Sequence, residues 1–114
     1  MSDVEKQIQK YEDAFKFGEK PIYTVTTLRG ALAAPHRCVG FYYTFEEAQE
    51  AVENNDLDIA EEGYYIFCVI EEKRVGVYNF NNTNEWWYRW YPDKMYRQCE
   101  KPESFKRTIC FSMG

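Results

Sequence analysis

The chain has a single histidine, His36, and no two of its four cysteines are close in sequence. Cys38, Cys68, Cys99 and Cys110 are spaced by 30, 31 and 11 residues. That pattern contains no C-x-x-C pair and excludes the usual zinc arrangements. In a reducing compartment the four read as buried free thiols. His36 and Cys38 share a face of an extended chain, but a Cys–His nucleophile needs a third group to orient the base, and the sequence offers none. H-E-x-x-H, EF-hand, G-x-G-x-x-G and Walker patterns are all missing. Paired carboxylates occur at Glu46/Glu47, Glu61/Glu62 and Glu71/Glu72. Adjacent residues do not face each other on a helix or strand, so these read as surface. No catalytic residue, metal site or cofactor is assigned, and the chain does not read as an enzyme.

Long apolar runs are also missing. Nothing approaches the roughly 18 residues of a membrane span, and the charged start Met1-Ser2-Asp3-Val4-Glu5-Lys6 precedes no signal-type apolar region. The expectation is a cytoplasmic protein with no membrane partner. Positive charge is missing from the middle: Cys38 to Glu72 contains ten acidic residues and no Lys or Arg. Long nucleic acid is disfavoured as a partner, because binding it rests on neutralising many phosphates. From Lys73 onward eight basic residues face four acidic ones, which leaves room for a small anionic ligand.

Aromatics are abundant, at 18% of the 114 residues, ten of them Tyr. All three tryptophans lie in Glu85-Trp86-Trp87-Tyr88-Arg89-Trp90-Tyr91. Read as a strand, Trp86, Tyr88 and Trp90 share one face and Trp87, Arg89 and Tyr91 the other.

The length fits one domain, residues 1–114. Ser2 and Glu5 form a capping box for an N-terminal helix whose stripe is Val4, Ile8, Tyr11 and Phe15, ending near Gly18. Pro21 to Leu28 reads as a strand, Arg29 to Arg37 as a loop, and Cys38 to Tyr43 as a strand in which Gly40 marks a bulge or a close backbone approach. Thr44 and Glu47 cap a helix from Phe45 to Glu53. Asp56 to Gly63 reads as an acidic loop with one helical turn. Tyr64 to Ile70 is apolar on both faces and reads as the central strand. Glu71 to Arg74 reads as a turn, Val75 to Phe80 as the returning strand, and Asn81 to Asn84 as a second turn. The aromatic strand pairs with Met95 to Cys99 across Pro92-Asp93-Lys94. Lys101 to Lys106 reads as a short helix with proline at its first position, and Thr108 to Met113 as a last strand. The expected class is α+β: a mostly antiparallel sheet of six to seven strands, with the N-terminal helix and one or two further helices.

Val39-Gly40-Phe41 stands before the helix Thr44-Phe45-Glu46-Glu47-Ala48. Gly63-Tyr64-Tyr65 then leads into Val69-Ile70-Glu71-Glu72, and Trp87-Tyr88-Arg89-Trp90 follows. This combination resembles a group of small proteins of phages and bacterial mobile elements, over about the last two thirds of the chain. It is similar to the Thoeris anti-defence sponges, small β-rich oligomeric phage proteins that sequester cyclic ADP-ribose isomers and, in some members, cyclic oligonucleotides. The resemblance implies a non-catalytic nucleotide sponge acting as a homo-oligomer in the cytoplasm of a bacterial host. It places no ligand residue on this chain, so the candidates rest on chemistry alone. Arg29, Arg37, Arg89 and Arg97 are assigned to phosphate or ribose. Phe80, Trp87 and Tyr91 are assigned to stacking on a base, and Asn82 to its polar edge. The alternative is an acidic protein-binding inhibitor or interaction module, whose Glu46–Glu62 region occupies a basic groove on a host enzyme.

Overall fold

A computed structural model describes residues 2–6, 21–30, 34–74 and 82–113. The class is α+β, with a five-stranded antiparallel sheet among the described residues. Its strands are β1 (Pro21–Leu28), β2 (His36–Tyr42), β3 (Phe67–Arg74), β4 (Asn82–Tyr91) and β5 (Met95–Cys99), in the order β2-β1-β3-β4-β5. One helix, α1 (Phe45–Glu53), crosses one face, and residues 3–6 form a helical turn at the start.

Ser2 and Thr44 each cap a helix start as the sequence predicts. The Glu5 amide donates to Ser2 Oγ at 3.2 Å, and the rest of the N-terminal helix lies outside the described residues. At α1 the Glu47 amide donates to Thr44 Oγ1 at 3.2 Å, while the Thr44 hydroxyl donates to Glu47 Oε1 at 2.9 Å. The apolar side of α1 then buries Ala48, Ala51 and Val52.

Two cores result, one on each face of the sheet. Val25, Cys68, Ile70, Tyr88 and Tyr96 pack under α1 with Ala48, Val52 and Ala60. On the opposite face Leu28, Val69 and Trp87 are covered by Phe105 and Phe111 of the C-terminal segment. Burying each such large side chain stabilises the fold by about 1.5–3 kcal/mol.

The expectation of six or seven strands is corrected. Val75 to Phe80 lies outside the described residues. Thr108 to Met113 is not a strand: it runs as a strap ending in a single 3-10 turn, Phe111–Met113. Cys110 adopts φ 63°, which breaks an extended run. The Glu71 carboxylate then accepts the amides of Phe111 and Ser112, each at 3.1 Å, in place of a ladder.

The central strand begins and ends later than the sequence predicts. Left-handed Glu61, Glu62 and Gly63 hold Tyr64 in a turn. Glu71 to Arg74, expected as a turn, continues β3 and pairs with Pro21 to Thr24 of β1. His36 and Arg37 belong to β2 rather than to a loop. The bulge sits at Val39, one residue before Gly40, where Val25 opposes Gly40 and Thr26 opposes Cys38. The expected helix at Lys101 to Lys106 is a 3-10 turn, Glu103–Phe105, preceded by Pro102.

Candidate ligand-binding face

The alternation read from the sequence sorts β4. Tyr88 faces the α1 core, where Trp86 and Trp90 pack against it. Trp87 points to the strap and is only 3% exposed. Phe105 stacks on its ring at 5.4 Å and Phe111 meets it edge-on at 5.1 Å. Those neighbours occupy the ring that the sequence assigned to base stacking.

Two residues further along the same face, the strap no longer covers the strand. Arg89 is exposed and stands directly across from Arg97 of β5, and Tyr91 stands across from Met95. Both guanidinium groups lie over the Tyr91 ring, at 5.9 Å for Arg89 and 5.4 Å for Arg97. Phe67 of β3 is the neighbour of Arg89 on the other side. Arg97 also pairs with Asp93 in the hairpin turn. Burial pushes the nearby Cys99 thiol up, and the Arg89 charge opposes that shift.

The structure therefore brings together three of the eight candidates, Arg89, Tyr91 and Arg97. Arg29 is engaged elsewhere: its Nη1 donates to the Tyr64 carbonyl at 2.6 Å, and it lies 4.2 Å over the Tyr64 ring. Arg37 pairs with Glu61 at 3.5 Å. Asn82 opposes Lys73 at the far end of β4, about 23 Å from Arg89 at the rise of a strand. Phe80 lies outside the described residues.

Sequence reasoning missed a cleft of ≈ 650 Å³ on the other side of the hairpin, lined by Asn55, Asp58, Glu62, Trp90, Pro92 and Lys94. Two carboxylates against one lysine make it a poor place for phosphate. Beside it Gly63 adopts φ +93°, and a Cβ on that residue would lie 2.9 Å from the Trp90 indole nitrogen. The glycine is legible in the sequence; its contact with Trp90 is not.

Among the described residues no group of three or more His, Cys, Asp or Glu side chains is placed to hold a metal ion. Nor is any described helix long and apolar enough to cross a membrane. No protein-family profile, curated protein or solved structure matches the chain.

Proposed function

We propose that this protein binds a small anionic nucleotide on the open face of the β4–β5 hairpin and holds it without turning it over. The observation that carries the reading is the cross-strand pair Arg89–Arg97 sharing the Tyr91 ring. Like charges placed opposite each other in a sheet cost about 0.2–1 kcal/mol. An anion seated between the two reverses that sign, and guanidinium groups bind phosphate oxygens in a fixed fork. Tyr91, with Phe67 and Met95 beside the arginines, supplies a surface on which a base stacks. The resemblance to the Thoeris sponges names the ligand class: cyclic ADP-ribose isomers and cyclic oligonucleotides, captured in a bacterial cytoplasm by a phage-type anti-defence protein.

The test is depletion and release. The protein is incubated with cyclic ADP-ribose isomers and cyclic di- and trinucleotides and filtered away, and the retained fraction is heat-denatured. Depletion followed by intact release supports the sponge, and release of altered product means an enzyme. Arg89→Ala and Arg97→Ala are each expected to weaken binding at least about tenfold, the size of one lost charge-assisted contact. Unchanged affinity in both variants refutes this site.

A second reading, the acidic module that occupies a basic groove, is favoured by Leu57. This side chain is 101% exposed at φ 53°, between Asp56 and Asp58. Binding through that loop would weaken steeply with salt.

A further inference from the structure

The cleft beside Trp90 lies on the opposite face of β4 from Arg89 and Tyr91, because neighbouring strand residues point to opposite sides. Its ≈ 650 Å³ falls within the range of about 300–1,000 Å³ that takes a small molecule. Four of its six lining residues, Asn55, Asp58, Glu62 and Lys94, hold left-handed backbone, with φ 47°, 52°, 57° and 65°. Asn and Asp tolerate that region, but Glu and Lys rarely enter it. Residues held this way gather at ligand-binding sites. Here every charged side chain of the cleft is carried by such a residue.

The charges stand in opposition. Asp58 and Glu62 come from the turn, and Lys94 comes from the hairpin. Among the described residues none of the three forms an ion pair. Asp58 is nevertheless fixed, since its Oδ1 accepts from Asn55 Nδ2 and from the Glu62 amide, each at 3.1 Å. Half-buried Trp90 meets Tyr96 edge-on at 5.1 Å, and Gly63 approaches its indole edge, so the ring is a fixed wall.

We propose that this cleft binds a free basic α-amino acid, arginine before lysine. Two carboxylates and one lysine leave the lining with one net negative charge. A basic amino acid is the complement: two cations and one carboxylate. A polyamine leaves Lys94 facing a like charge, and a neutral amino acid leaves one wall carboxylate unmatched. Arginine precedes lysine because a planar guanidinium stacks on an indole face and donates two parallel N–H bonds to a carboxylate. Pro92 and the indole flank the apolar stem of the ligand. This site is separate from the nucleotide reading, and its test involves no nucleotide.

The experiment follows the three tryptophan indole N–H signals of the full chain by NMR during titration with L-arginine. The Trp90 signal is identified by its loss in Trp90→Phe. It should shift and saturate, while those of Trp86 and Trp87 stay in place. Agmatine, which lacks the carboxylate, and norvaline, which lacks the guanidinium, should each bind at least about tenfold more weakly, the size of one lost charge-assisted contact. Glu62→Gln should weaken arginine by a similar factor. Lys94→Gln should weaken arginine while leaving agmatine no weaker than before. No saturable shift at Trp90 overturns the inference, and so do equal shifts at all three indoles. Agmatine binding as tightly as arginine also overturns it, because the cleft then takes any cation, such as a side chain of a partner protein. The analogue series on the unaltered protein stands even if a variant fails to fold.

Discussion

Replacing Glu71 by alanine should loosen the strap and destabilise the fold. The Glu71 side chain is fully buried, and its two oxygens hold the Phe111 and Ser112 amides at 3.1 Å each. Lys73 lies 3.9 Å away, and its Nζ is also buried, without a hydrogen-bond partner. Two hydrogen bonds to a charged acceptor contribute about 1.5–3 kcal/mol each. Removing one member of a buried ion pair costs about 3–5 kcal/mol, because the other charge stays buried. The losses overlap, since a frayed strap lets water reach Lys73, so about 4 kcal/mol is the net expectation. With an unfolding entropy of about 2.1 cal/mol/K per residue, this corresponds to a Tm lower by about 17 °C. Near-UV circular dichroism through thermal unfolding measures it. Native-state hydrogen exchange at the two amides shows whether the strap opens ahead of the rest. Glu71→Ala with Lys73→Met should recover about half of the loss, since the orphaned cation goes with the anion. A Glu71→Ala protein within about 1 kcal/mol of the parent, with unchanged exchange at Phe111 and Ser112, would refute the clamp. A double variant no better than the single would refute the role given to Lys73.

Gly63→Ala strains a backbone at φ +93° and places a Cβ 2.9 Å from Trp90 Nε1. Denaturant unfolding should show a loss of about 1–3 kcal/mol, with a shifted tryptophan emission because the indole must move. Alkaline pH probes the α1 core. Burial pushes the Tyr88 phenol up from 10.0 to about 12. The folded value lies above the unfolded one, so the contribution of Tyr88 is complete below pH 10 and is lost as pH rises toward 12. The slope should reach about 1.4 kcal/mol per pH unit for this group, and Tyr88→Phe should make the decline in stability over that window shallower.

What the sequence made legible was whatever depends on near neighbours. Ser2 with Glu5, and Thr44 with Glu47, are three residues apart, and both hydroxyls cap their helix starts. Alternation along Trp86 to Tyr91 sorted the faces of β4, and the Pro92-Asp93-Lys94 turn paired β4 with β5. What it hid depends on distant residues. Glu71 to Arg74 looked like a turn because four charges in a row belong on a surface. Glu71 and Lys73 are buried because they neutralise each other and because amides 40 residues downstream come to Glu71. Cys110 and Leu57 adopt left-handed backbone although such side chains rarely do, so composition gave no sign of those breaks. At the candidate site, the residue types were legible and the grouping was not. Four arginines were named; the register of β4 and β5 joins two of them, and the 61–64 turn engages the other two.

The decisive feature is how far the strap reaches. On its face the sheet presents successive rows: Glu71 beside Glu85, then Val69 beside Trp87 and Cys99, then Phe67 beside Arg89 and Arg97. The first row is clamped, with Lys101 pairing to Glu85 at 2.9 Å and Glu71 holding the strap amides. The second is roofed by Phe105 and Phe111, so Trp87 is core. In the third, Phe67 touches Phe105 edge-on at 6.2 Å, and the two arginines beyond it are open. One strand therefore carries a core tryptophan and an exposed arginine two residues apart on the same side. The Glu71 and Lys101 contacts tie the strap to the first row, its two phenylalanines cover the second, and the Arg89–Arg97 row beyond them is open.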